Sequence, residues 1–149
     1  AAPRAVAFYH LHTGANLELD YSLRDDRARD EALRALEYFL RDFRTDEVHP
    51  IDPDLLTQLA ALHALAGHRG RFEVVSGYRS PTTNEALRQA GRGVAKKSWH
   101  MQGRAIDVRL TALPTLELCR AARALGAGGV GYYPQSYFVH LDTGPVRTW

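Results

Sequence analysis

The order in which two kinds of hydrophobic periodicity occur is what most limits the folds open to this chain. Residues 25–43 place Leu33, Leu36, Leu40 and Phe43 at helical spacing, with Phe39 beside them. A second stripe, Leu55, Leu59, Leu62 and Ala66, follows Asp52-Pro53 and runs to about Gly67. An N-cap residue followed by proline in the first turn is a helix start with a physical reason, since proline has no N–H to waste there. The later segments are short. Strands are expected over Arg71–Ser76, Arg104–Leu110, Gly129–Tyr132 and Tyr137–Asp142, with helices from Ser80-Pro81 to about Ala90 and over Pro114–Leu125. Residues 5–21 read as two more strands around Thr13-Gly14-Ala15-Asn16, where Gly14 and Asn16 can take a positive φ. The long helices come first and strands cluster late, without regular β-α-β alternation. The expectation is one α+β domain over residues 1–149, with a mainly antiparallel sheet and N-terminal helices.

Composition removes several functions. The 19 Lys+Arg against 17 Asp+Glu leave a net charge of +2, too small a surplus to argue for nucleic acid or a membrane surface. No apolar run approaches the ~20 residues of a membrane span. Cys119 is the single cysteine, so an intrachain disulfide is excluded, and its neighbours Leu116, Leu118, Ala122 and Leu125 mark it as a core residue. Ala1-Ala2-Pro3-Arg4 shows no charged leader followed by an apolar stretch. Such a start fits the mature end left by signal peptidase, or an arbitrary boundary, and leaves the compartment open.

Among the histidines, His100 stands out. With Asp107 it forms an H-x-x-G-x-x-x-D spacing in SWHMQGRAID, and His140 lies in YFVHLDTG. Two imidazoles and one carboxylate can hold Zn²⁺ and leave a fourth position for water. The alternative is plain: Asp107 caps a turn and the histidines are ordinary polar residues. His10 and His12 share a strand face but lack a third ligand nearby, so a half-exposed hairpin explains them. His63 and His68 are five apart and do not share a helix face. His49, in VHPIDP, sits in an extended connection imposed by two prolines; it is structural or supports a ligand from behind.

The words SGYRSPTTN at 76–84, SWHMQGRAIDVR at 98–109 and GGVGYYPQSYFVHLDTGPVRTW at 128–149 resemble the YcbK-like branch of the zinc D-alanyl-D-alanine peptidases. The wider superfamily includes VanX-type dipeptidases and the Hedgehog signalling fold. The resemblance extends over nearly the whole chain, through YHLHTG near the start and FLRDFRTDEVHPIDP before the middle. It implies an α+β zinc fold, export to the periplasm, and cleavage of peptidoglycan stem peptides or crosslinks. The family's S-x-H-x-x-G-x-A-x-D word falls on Ser98, His100, Gly103, Ala105 and Asp107, and its last metal histidine on His140. The resemblance therefore implies Zn²⁺ held by His100, Asp107 and His140.

Arg79 matches the arginine this family sets beside the metal, where a guanidinium can brace an oxyanion. As a bare sequence feature it is equally a surface arginine capping the turn at Ser80-Pro81. Ser98 either bonds a substrate terminus or only its own loop, and Trp99, Tyr132 and Tyr133 either line a groove or pack. VanX-type relatives carry a glutamate three residues before the last metal histidine as general base. Here that residue is Tyr137, which cannot deprotonate water near neutral pH. The base is assigned to Asp142, which shares a strand face with His140; its alternatives are turn chemistry in Asp-Thr-Gly and orientation of a metal histidine.

The expected function is a zinc peptidase acting on cell-wall peptides, with Asp142 and Arg79 catalytic and Arg79, Ser98 and Tyr133 binding substrate. One rival is a wall-binding or signalling module that keeps the metal and has lost catalysis. Another is a glycosidase using Asp107 and Asp142 as its two carboxylates, which leaves the histidines without a role.

Overall fold

The computed structural model describes residues 5–20 and 25–149. Tyr21, at the end of the expected hairpin, and the first four residues lie outside them. Seven strands form one sheet in the order β2-β1-β3-β4-β6-β5-β7. They are β1 (Ala5–His10), β2 (Asn16–Asp20), β3 (Phe72–Ser76), β4 (Ala105–Leu110), β5 (Gly129–Tyr133), β6 (Phe138–Asp142) and β7 (Arg147–Thr148). Four pairings are antiparallel, and β1–β3 and β5–β7 are parallel. The helices are α1 (Asp26–Phe39), α2 (Pro53–Leu65), α3 (Pro81–Gln89) and α4 (Thr115–Leu125). The α+β class and the mainly antiparallel sheet are as expected; the parallel pairs and β7 were not foreseen.

Local chemistry explains most element ends. Asp25, Asp52 and Ser80 cap α1, α2 and α3 by accepting from the backbone N–H of Ala28, Asp54 and Thr83. Each such cap is worth about 1 kcal/mol. Gly14 takes the positive φ of the first hairpin, whereas Asn16 already belongs to β2. The core lies between the sheet and the helices and is led by Phe8, Leu36, Leu59, Phe72, Ile106 and Leu141. Cys119 is fully buried within it.

Helix α1 ends earlier than the apolar spacing suggested. Phe43 lies beyond it and stacks on His12, with ring centroids 4.3 Å apart. The reason is tertiary. The Leu40 carbonyl accepts from Tyr78 N, and the buried Asp42 carboxylate accepts from Ser80 N at 2.9 Å. Both groups turn away from helix geometry to hold the loop after β3. A Cβ at Gly77 would come within 2.9 Å of Leu40, so only glycine lets the two segments approach this closely.

Candidate metal centre

Strand alternation sets the chemistry on one face of the central strands. In β4, Ile106, Val108 and Leu110 enter the core, while Asp107 points the other way. In β6, Val139 and Leu141 are core residues, and His140 and Asp142 share the opposite face. Asp107 and His140 are direct partners in the β4–β6 register. A short 3₁₀ turn, Trp99–Gln102, brings in His100. The turn ends on Gly103 at φ 65°, where a Cβ would fall onto the Pro50 carbonyl oxygen. Gly103 thus clears the connection before α2, while Ala105 fits the buried strand.

The three side chains meet. His100 Nε2 lies 3.2 Å from Asp107 Oδ2, and His140 Nδ1 lies 2.9 Å from Asp107 Oδ1. Their far nitrogens assign the tautomers. His100 Nδ1–H donates to the Gly77 carbonyl at 2.8 Å, and His140 Nε2–H donates to Asp142 Oδ2 at 2.8 Å. Once neutral, each ring turns a lone pair toward the same carboxylate, an arrangement suited to a cation between the groups; without one, a proton on His140 Nδ1 takes that place and is donated to Asp107. One suitable donor atom from each residue lies within 4.8 Å of the others, and this is the only such cluster among the described residues. Two imidazole nitrogens and a carboxylate suit Zn²⁺, and each imidazole is already oriented by a polar partner behind it.

The electrostatics agree. Burial raises the pKa of Asp107, but His100 and His140 outweigh it and hold the carboxylate well below its ordinary range. Burial opposes a charge on His140, yet Asp107 and Asp142 together lift its pKa to about 9. The site is thus built to surround positive charge, and a bound dication would take the place of a proton.

Around it opens a pocket of about 440 Å³ whose walls include Arg79, Ser98, Trp99, Tyr133 and Trp149. Arg79 is only 8% exposed, so it is not a surface turn residue; Ser80 and Asp42 serve the turn instead. Burial draws its pKa below the ordinary value, with Asp107 acting in the opposite direction. Ser98 Oγ accepts from His100 N at 3.1 Å and from Arg79 Nη2 at 3.4 Å, tying the arginine to the histidine turn. Tyr133 and Trp99 line the pocket, whereas Tyr132 packs against the core.

Asp142 has no exposure. Its Oδ1 accepts from Gly129 N and Gly144 N at 2.9 and 3.0 Å, and its Oδ2 faces His140. This placement suits orientation of the histidine, one of the roles open to Asp142, and leaves neither oxygen on the pocket wall, where the expected base would meet water. It also deprives a two-carboxylate glycosidase of its second acid. Tyr137 has φ 57°, precedes β6 in a turn and is 65% exposed, outside the pocket wall.

The other histidines do other work. His10 accepts from His12 N and packs edge-on to Phe39, and His49 stacks on Tyr78. His63 and His68 do meet, with centroids 5.8 Å apart, because the chain turns at Gly67 after α2. Sequence reasoning missed the Gly77 carbonyl and Trp149. The carbonyl has no side-chain signature, and Trp149 is brought to the site by β7, too short to show a periodicity.

Comparison with known proteins agrees with the motifs. A family model described as peptidoglycan L,D-endopeptidase MepK matches residues 1–149. The chain is 44% identical over 148 residues to the peptidoglycan L,D-endopeptidase MepK of Escherichia coli K12, covering 99% of this chain and 80% of that protein. It is 43% identical over 148 residues to the probable enzyme of the same name from Haemophilus influenzae, covering 99% and 79%. With its motifs, its fold and this similarity in agreement, the chain belongs to the MepK family of murein peptidases, within the zinc peptidase superfamily.

Proposed function

We propose that this chain is a zinc-dependent peptidoglycan endopeptidase that cuts peptide bonds between L and D centres and works outside the cytoplasm, in the periplasm. The observation that carries the reading is the convergence of His100 Nε2, the Asp107 carboxylate and His140 Nδ1 at the wall of one pocket. Bound by these residues, Zn²⁺ supplies a Lewis acid for water and for the scissile carbonyl. Asp107 contributes negative charge and holds both rings to one point. Asp142 fixes the proton of His140 on Nε2, which keeps Nδ1 free as a ligand atom. Arg79 presents a buried guanidinium beside Asp107, suited to balance negative charge developing on the carbonyl oxygen, and Ser98 steadies it. Tyr133 offers a wall against which a peptide can lie. No helix among the described residues is long and apolar enough to cross a membrane.

The test is mass spectrometry of crosslinked muropeptides after incubation with zinc-loaded protein. New peptide termini with intact glycan are expected, with the reaction stopped by a chelator and restored by zinc. Reducing sugar ends, or cleavage that survives chelation, would overturn the reading.

A further inference from the structure

Both tryptophans of the chain, Trp99 and Trp149, line the one pocket that holds the metal ligands. Trp149 is held there by its surroundings. Its backbone N–H donates to the Val130 carbonyl at 3.1 Å, and its own carbonyl accepts from Tyr132 N at 2.9 Å. Its indole N–H donates to the Tyr133 hydroxyl at 2.7 Å. Its ring centroid lies 5.1 Å from that of His140. Gly131, the register partner of His140, makes this possible, because a Cβ there would lie 2.6 Å from the indole. On top sits Arg147, with its guanidinium carbon 4.5 Å from the indole centroid. A long, exposed side chain is thereby held at the pocket rim by an aromatic plate instead of sweeping through solvent.

The charge of this pocket is unbalanced. Arg79, Arg92, Lys97 and Arg147 line it, and among the described residues the only acidic side chain on its walls is Asp107, already engaged by two histidines. Among the described residues no ion pair joins Arg92, Lys97 or Arg147 to a carboxylate, although ion pairs are frequent elsewhere on the surface. A groove with a scissile-bond centre and unpaired cations on its rim fits a peptide carrying free carboxylates near the bond that is cut.

Resting on the peptidase reading above, we propose that Arg147, held on Trp149 over the Gly131 hollow, anchors a free carboxylate of the substrate peptide and so selects acidic over amidated crosslinks. Arg147 is a binding residue here, and Trp149 and Gly131 position it. The planar guanidinium takes a carboxylate through paired N–H donors, which a neutral amide cannot match.

The test compares zinc-loaded wild type, Arg147→Gln and Gly131→Ala. The substrates are a crosslinked stem-peptide dimer with free carboxylates and the same dimer amidated. The uncuttable product peptides of both forms are titrated by tryptophan fluorescence. Exposed ion pairs contribute up to about 1 kcal/mol, so Arg147→Gln should raise KM and product Kd for the free acids about fivefold. Turnover at saturation should change little, and the amidated series should show no difference between variant and wild type. Gly131→Ala should displace Trp149 and reproduce the KM effect with zinc content kept. Equal losses on both peptide forms, or none on the acid, overturn the proposal. Wild type that binds the acid products more tightly through Arg147 but cuts neither dimer would overturn the peptidase reading and leave the carboxylate site standing.

Discussion

Asp142→Asn separates the two catalytic roles that a carboxylate next to His140 can play. Asp142 Oδ1 accepts from two backbone N–H groups, so the new side chain keeps its carbonyl oxygen there; the reverse placement sets an NH₂ against two donors. The Asn NH₂ then faces His140 Nε2 across the present 2.8 Å contact. Two donors cannot share that contact, and the imidazole answers by moving its proton to Nδ1, the atom turned toward Asp107. The ligand lone pair is lost unless the ring pays the tautomer cost. Removing a partner of this kind costs about 10–100-fold in metal affinity. Zinc affinity, measured by competition with a chromogenic chelator, should fall by that factor. Muropeptide turnover should largely recover once zinc saturates. Altered buried hydrogen bonds should also cost about 1–3 kcal/mol of stability, read from denaturant midpoints. Zinc affinity unchanged, with turnover at saturating zinc cut by ~10²–10⁴, would refute this reasoning and restore Asp142 as a general base.

His100→Ala and His140→Ala should each lose most of the zinc seen by metal analysis, since three protein ligands are the minimum for a tight catalytic site; full retention in both would remove the assignment. Arg79→Lys keeps charge but loses the planar fork, and should lower turnover by about tenfold or more while the melting curve moves little; unchanged turnover would make Arg79 a packing residue only. His10 provides an acid response. Burial, helped by His12 and Arg41, lowers its pKa from 6.5 to about 4, so unfolding takes up a proton between these values. This contribution is complete above about pH 6.5 and lost as pH falls toward 4. His10→Asn keeps the acceptor for His12 N and should flatten the fall in stability from pH 7 to 5, measured by urea midpoints; an unchanged slope would exclude His10 as its source.

Those elements whose cause is local were legible in the residues. Asp52-Pro53 and Ser80-Pro81 announce helix starts because capping chemistry acts within one turn. The Ile106–Val108–Leu110 alternation marks β4 for the same reason of local period. What could not be read depends on distant partners. The stop of α1 at Leu40 is set by Tyr78 and Ser80, and β7 exists because β5 offers it an edge. At the site, His100, Asp107 and His140 were recognisable as a word. Whether Asp142 faced the pocket or the backbone was not, because both placements share one strand face with His140; the N–H groups of Gly129 and Gly144 decide it.

Asp107 and His140 stand on β4 and β6, the fourth and fifth strands of the seven-stranded sheet, flanked by paired neighbours on both sides. The cations do not. Arg92 and Lys97 come from the exposed stretch between α3 and the 3₁₀ turn, and Arg147 from a two-residue strand at the sheet's margin. Chemistry and preference are therefore carried by parts of very different replaceability. A lineage, or a designer, can rewrite the 91–97 segment and the 145–149 arm to read a new wall chemistry while Asp107 and His140, anchored in the middle of the sheet, are inherited unchanged.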